Sequence, residues 1–205
     1  MKLYFRMLPM AVRGLRGAPV DATEPVRTQF RVMPADLDVN LHLNNGRYMQ
    51  LIDVNRLEWA LRTRVLHACF KQGWRPILGS SAIHFRRELR LFDRGIAETR
   101  LAGWDDRWFF FEHRVETLDG RTVATSLAKA AFRSVSGWVP TSAMIALAAP
   151  DMTPLNLPEH VVTWQALDQQ FGRMARNWKS GSPSPVEDIF NIQIRRKSNS
   201  IFING

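Results

Sequence analysis

Cysteine is nearly missing from this 205-residue chain: Cys69 is the only one. A single thiol excludes an internal disulfide and a cysteine-only metal site, and it fits a reducing compartment. Long apolar runs are missing too. The best, Ala143 to Ala149, has seven residues, against roughly 18 for a bilayer span. At the N-terminus, acids and serine are both absent from residues 1–20. The apolar stretch there, Met7 to Val12, contains Pro9 and is shorter than a secretory core of at least about seven residues. An acid-free, arginine-bearing start raises organelle import, which the lack of serine disfavours, and a membrane-surface anchor. The plain reading is a terminus lying on its own domain. With 45% hydrophobic and 23% charged residues, the composition is globular, and a disordered chain is excluded.

The formal net charge is +9, which invites a nucleic-acid reading. Its distribution argues otherwise. Residues 1–20 hold Lys2, Arg6, Arg13 and Arg16 with no acid, and residues 172–205 hold six bases against two acids. The span 21–171 carries 18 bases and 17 acids, a net of +1. A nucleic-acid-binding core needs a basic face of its own, so no nucleic-acid partner is expected.

Along the chain, Val26, Thr28, Phe30 and Val32 alternate within Glu24 to Met33 and read as a strand stopped by Pro34. Asn45 to about Cys69 reads as one long helix whose apolar face runs through Tyr48, Leu51, Ile52, Asn55, Trp59 and Leu66. Strands follow at Ile77 to Leu91, Ile96 to Trp104, Trp108 to Thr117 and Thr122 to Val135, with Asp119-Gly120 as the clearest hairpin turn. A second helix is expected over 158–178, opened by Pro158 and striped by Trp164, Leu167, Phe171, Met174 and Trp178. That stripe reads as packing on the domain or on a partner subunit. The order of elements is α+β, with one long helix available to cover one sheet face. The expected organisation is a basic segment 1–20, one domain over 21–178 that includes the second helix, and a flexible tail 179–205.

One stretch stands apart. Asp36-Leu37-Asp38-Val39-Asn40-Leu41-His42-Leu43-Asn44-Asn45, followed by Gly46-Arg47-Tyr48, packs two carboxylates, an imidazole and three carboxamides between a strand and a helix start. Capping accounts for one asparagine. A solvated turn accounts for either acid alone, and a hydrogen-bonded structural side chain accounts for His42 alone. The pattern as a whole resembles the D-x-D-x-x-x-H-x-N-N-x-x-Y signature of hotdog-fold thioesterases, in the 4-hydroxybenzoyl-CoA thioesterase-like and acyl-carrier-protein thioesterase branches. The resemblance covers about residues 24–140.

It implies the hotdog fold: an antiparallel sheet wrapped around one long central helix, here with an additional C-terminal helix. It also implies hydrolysis of an acyl thioester carried by CoA or a carrier protein. Asp38 falls on the family's catalytic carboxylate, acting as general base or nucleophile, and His42 and Asn44 match its polar pair. Asn45 and Tyr48 match positions that start and brace the helix, and Asp53 and Arg56 match a following E-x-x-R with Asp for Glu. Leu41 stands where many relatives read Gly; a side chain there narrows the acyl pocket or alters a backbone approach. The thioester oxygen is expected to face free N–H groups at the helix start, where the dipole favours negative charge.

Hotdog sites lie at dimer interfaces, so the resemblance implies a homodimer or dimer of dimers. Gly79, Ser80 and Ser81 are the candidates to contribute space and hydroxyls to the pocket. Arg86, Arg87, Lys129 and Arg133 are available for the CoA nucleotide, with a solvated strand face as their ordinary role. No cofactor and no metal are expected: His67, His84, His113 and His160 have spacings unlike any metal motif. The expected location is cytoplasmic, with the N-terminal segment as a peripheral membrane contact. The alternative function is a non-catalytic acyl or lipid binder of the same fold. A pure binder has no need of a carboxylate beside the thioester, which favours hydrolysis.

Overall fold

The structure, a computed structural model, describes residues 12–179. The tail beyond them and most of the basic N-terminal segment lie outside the described residues. The chain divides into two units, Met1–Pro158 and Glu159–Gly205.

In the first unit, β1 (Val26–Arg31) leads through a 3-10 turn (Pro34–Asp36) and a polar loop into helix α1 (Asn45–Arg62). Helix α2 (Val65–Gln72) follows, then strands β2 (Arg75–Phe85), β3 (Arg94–Trp104), β4 (Phe109–Thr117), β5 (Thr122–Ser134) and β6 (Gly137–Val139). Helix α3 (Thr141–Ala148) closes the set. The sheet runs β1-β3-β4-β5-β2, all neighbours antiparallel, with β6 also pairing β5. The α+β architecture and its strand meander are as expected. The second unit contains α4 (Glu159–Lys179), whose Leu167, Phe171 and Trp178 are half or more exposed.

Three boundaries differ from expectation. The long helix breaks after Arg62, because the Thr63 hydroxyl donates back to the Trp59 carbonyl at 2.8 Å and Arg64 turns left-handed at φ 62°. Strand β2 stops at Phe85, where Arg86 and Arg87 both donate their N–H to the Val123 carbonyl and leave the regular ladder. The apolar run at Ala143 to Ala149, unassigned above, forms most of α3.

Helix α1 packs on the sheet through two apolar clusters. One, near its end, gathers Trp59, Val65, Cys69, Phe111, Phe132 and Met144. The other, near its start, gathers Leu43, Tyr48, Leu51, Ile52, Leu89 and Val115. Burial pushes the Cys69 thiol up to about 11, so the one cysteine stays protonated and packs as a small apolar group.

A polar ladder also lies buried between helix and sheet. Asn55 Nδ2 donates to the Val26 carbonyl at 3.1 Å and to Thr28 Oγ1 at 2.8 Å, and Thr99 Oγ1 donates to Asn55 Oδ1 at 2.5 Å. His113 Nδ1 lies 2.8 Å from Thr99 Oγ1, and its Nε2 lies 3.5 Å from Arg56. Satisfied groups of this kind fix one register of helix on sheet, because any slip leaves a buried dipole unpaired.

Burial, reinforced by the Arg56 charge, holds the His113 imidazole well below its usual range and therefore neutral. The unfolded chain binds that proton near pH 6.5 and the folded chain does not. Stability therefore falls as pH drops below about 6.5, by up to ~1.4 kcal/mol per pH unit for this one group. Denaturant melts of wild type and His113→Gln between pH 7.5 and 5 test this: the wild-type slope should be the steeper of the two, and equal slopes would remove His113 as the cause.

Candidate active site

Two short antiparallel contacts hold the polar loop in place. Leu37 bridges to Leu43, His42 bridges to Arg90, and the Leu43 N–H donates to the Leu89 carbonyl at 2.8 Å. Within this frame the two acids of D-x-D separate completely. Asp36 is buried: its Oδ2 accepts the Met33 N–H at 2.8 Å, and its carbonyl accepts the Asn44 N–H at 2.9 Å. Asp36 therefore closes the loop upon itself. Asp38 is half-buried; its Oδ1 accepts the N–H of Asn40 at 2.8 Å and of His42 at 3.3 Å. No described group claims its Oδ2. One oxygen anchors the side chain while the other stays available to a ligand, which suits a carboxylate that must act on something not yet there.

At the helix start, the Asn44 side chain caps α1 by accepting the Gly46 N–H at 2.8 Å, as an Asn at this position is suited to do. The Asn44 carbonyl accepts the Arg47 N–H at 2.8 Å. The Asn45 amide between them has no described partner and sits at the positive end of the helix dipole. Tyr48 is buried with its hydroxyl 3.5 Å from the Arg87 carbonyl and its ring against Phe85 at 5.3 Å. Burial raises the Tyr48 phenol to about 12, so it stays protonated as a brace.

The structure thus draws Asp38, His42, Asn44, Asn45 and Tyr48 around one loop and helix start. The His42 ring turns to Glu88 rather than to the Asp38 carboxylate: Nε2 lies 3.1 Å from Glu88 Oε2. Glu88 was not singled out in the sequence, since one acid among the arginines of 86–94 carries no pattern. Its carboxyl sits below the usual range through hydrogen bonds from Arg90 and the charge of His42. Ser80 and Ser81 lie elsewhere, on β2 opposite Lys129 and Ala128, roughly 13–17 Å of extended strand before Phe85. The space expected at Gly79 is filled, because the Trp108 ring lies where a side chain on that residue would stand. The four arginine and lysine candidates also divide: Arg86 and Arg87 are at the Phe85 end, while Lys129 and Arg133 lie against tryptophans at the other.

Leu41 has φ 59° and is 69% exposed. A glycine fits that left-handed backbone without strain, and a leucine does not. This accounts for the Gly of related signatures as a backbone requirement. Among the described residues, no group of His, Cys, Asp and Glu is arranged to hold a metal, and no helix is long and apolar enough to cross a membrane.

A meandering antiparallel sheet on a central helix, with a D-x-D loop feeding that helix, defines a hotdog-fold protein. The comparison with known families places it further: the profile of the thioesterase-like superfamily matches residues 32–164, and the chain belongs to that superfamily. Protein THEM6 of Xenopus laevis is 31% identical over 133 residues, which is 65% of this chain and 63% of that protein. The chain therefore spans less than two thirds of the length of that curated relative. Among solved structures, a 1,4-dihydroxy-2-naphthoyl-CoA thioesterase from Synechocystis aligns with a TM-score of 0.55 at 12% identity, covering 63% of this chain and 98% of the other. The protein SAV2348 from Staphylococcus aureus, solved in complex with CoA, aligns with a TM-score of 0.51 at 13% identity, covering 70% and 96%.

Leu41→Gly should raise the unfolding free energy by about 0.5–1 kcal/mol, since it relieves a left-handed leucine whose exposed side chain contributes little packing. Chemical denaturation decides; a lower stability would show that the leucine makes a favourable contact worth more than its strain.

Proposed function

We propose that this protein hydrolyses an acyl thioester, carried by CoA or an acyl-carrier protein, with Asp38 as general base or nucleophile. The observation that carries this reading is the posture of Asp38: anchored through one oxygen by two backbone amides, with the other oxygen and the Asn45 N–H of the adjoining helix start without a partner among the described residues. In the general-base route, Oδ2 takes a proton from water as its oxygen attacks the thioester carbon. Negative charge gathers on the carbonyl oxygen, which the Asn45 N–H and the helix dipole stabilise. The carbon–sulfur bond then breaks, the thiolate leaves and takes up a proton, and the products are a free acid and a thiol. A thiolate is a good leaving group with a parent pKa of about 8–9, so one well-placed carboxylate suffices.

His42 and Asn44 act here as positioning residues. The His42 amide helps hold Asp38, the His42 ring fixes the loop through Glu88, and Asn44 caps the helix that supplies the N–H donor. The family membership supports the activity, and the similarity in fold to a naphthoyl-CoA thioesterase and to a protein solved with CoA bound supports CoA as carrier.

Assembly as a homodimer is part of this reading. Among the described residues strand β2 pairs β5 along one side only, and its 11-residue outer edge carries the exposed Leu78 and Phe85. An edge of this length is a template for another strand, and a second copy of β2 is the partner that closes it symmetrically.

Thiol release from a panel of short, long and aromatic acyl-CoAs tests the activity, with acyl-carrier-protein esters run beside them. Wild type should turn over at least one, and Asp38→Asn should lose about 100-fold or more. Silence on every ester would replace hydrolysis with acyl binding. Light scattering at micromolar concentration should give twice the chain mass; a monomer would refute pairing through β2.

A further inference from the structure

The two loops that frame Asp38 both contain tight turns, and both turns carry apolar tips. The Leu41 N–H donates to the Asp38 carbonyl at 3.1 Å, and the Asp93 N–H donates to the Arg90 carbonyl at 3.1 Å. Turn positions of this kind ordinarily go to Gly, Asn, Asp, Ser or Pro. Here the first turn presents Val39, 96% exposed, and Leu41; the second presents Leu91 and Phe92, 39% and 56% exposed. The bridge between His42 and Arg90 is antiparallel, so Leu41 comes opposite Leu91 and the two tips are neighbours. One step inward, Leu43 and Leu89 are buried.

Packing does not account for the outer side chains, and backbone preference opposes two of them. Leu41 and Phe92 have φ 59° and 68°, a region that bulky residues enter at a cost and glycine or asparagine enters freely. Phe92 holds the third position of its turn, where a positive φ calls for glycine. Strain retained under exposed apolar side chains points to something that covers them. Cations flank the second tip: segment 86–94 holds Arg86, Arg87, Arg90 and Arg94, all exposed, against Glu88 and Asp93.

We propose that these two turns dock the first unit on an anionic lipid bilayer. Val39, Leu41, Leu91 and Phe92 enter the boundary between headgroups and acyl chains, and Arg90 and Arg94 meet the lipid phosphates. Tips that project from turns need a partner that closes around them, which a fluid interface does without a preformed pocket. A second copy paired through β2 lies away from Phe92, whose N–H donates to the Val32 carbonyl just past β1, the opposite margin of the sheet. The described N-terminal residues are distinct from this surface too: Arg13 pairs with Glu58, roughly 20 Å along α1 from the helix start. Docking brings Asp38, the first residue of the first turn, to a surface in which long acyl chains partition. The docking itself stands whether or not Asp38 hydrolyses them.

Flotation of the full chain with vesicles of phosphatidylcholine and phosphatidylserine, beside phosphatidylcholine alone, tests the proposal. Wild type should float with the mixed vesicles, less with the neutral ones, and less again as salt is raised. Leu41→Gly/Phe92→Asn should lower the partition coefficient about tenfold or more, and Arg94→Gln about fivefold. Both replacements in the double variant suit a left-handed backbone, so its Tm should equal or exceed that of wild type. Wild type absent from both kinds of vesicle overturns the proposal. So does a double variant that floats as well as wild type, which would move the contact to another surface. Should the double variant melt lower, Val39→Cys carrying an environment-sensitive fluorophore decides; Cys69 is fully buried, so the label goes to the new thiol. A blue shift on the mixed vesicles supports docking, and an unchanged spectrum refutes it. Acyl-carrier-protein binding that the double variant loses, with no vesicle binding by wild type, would make the patch a protein contact instead.

Discussion

One helix layer against a six-element sheet is the constraint from which the rest follows. Helix α1 supplies apolar surface for the strands it lies on and for little else in the first unit. It leaves β2 at the margin, its outer row of N–H and C=O groups without a strand partner among the described residues. It also fixes where chemistry can sit. Within the first unit the one long helix, α1, has one N-terminus, with its unpaired donors, and the loop that enters it is the natural place for a group that must work on a carbonyl oxygen. The buried ladder through Asn55, Thr99 and His113 makes this arrangement specific, because it allows helix and sheet a single register.

The loop divides its labour between two acids of the same type two residues apart. Asp36 spends its carboxylate and its carbonyl on the loop's own backbone, and Arg47 stands 3.9 Å from its Oδ1. Asp38 spends only one oxygen. The strained Leu41 and the His42–Glu88 pair belong to the same construction: a tight turn between Asp38 and His42 is needed to aim both backbone amides at one carboxylate oxygen. Strain of this kind persists where surrounding contacts over-determine the backbone.

The sheet meander was legible from alternation and from Asp119-Gly120, and the site from the density of polar residues between Asp36 and Asn45. The helix start was legible because an asparagine cap is a local device. What stayed hidden was decided by contacts between distant residues. Nothing near Thr63 and Arg64 is a glycine or proline, so the break after α1 left no mark, and a hydroxyl bonding back to its own helix is silent in a periodicity. Strand β2 ran on to Leu91 on paper because Leu89 kept the parity; in the fold Leu89 is buried under the site loop instead. Glu88 was unreadable for a like reason: its partner His42 comes from the loop before α1, and only the fold brings the two together.

The division of labour between Asp36 and Asp38 is the central claim, and paired measurements on Asp36→Asn and Asp38→Asn test it most directly: denaturant stability beside acyl-CoA turnover per folded molecule. Asp36→Asn should lose about 1–3 kcal/mol of stability, as for a buried group whose hydrogen bonds are disturbed, and keep most of its turnover. Asp38→Asn should melt within about 0.5 kcal/mol of wild type, as expected away from buried features, and lose its turnover. Turnover surviving in Asp38→Asn, or lost in Asp36→Asn while stability is unchanged, would contradict the account.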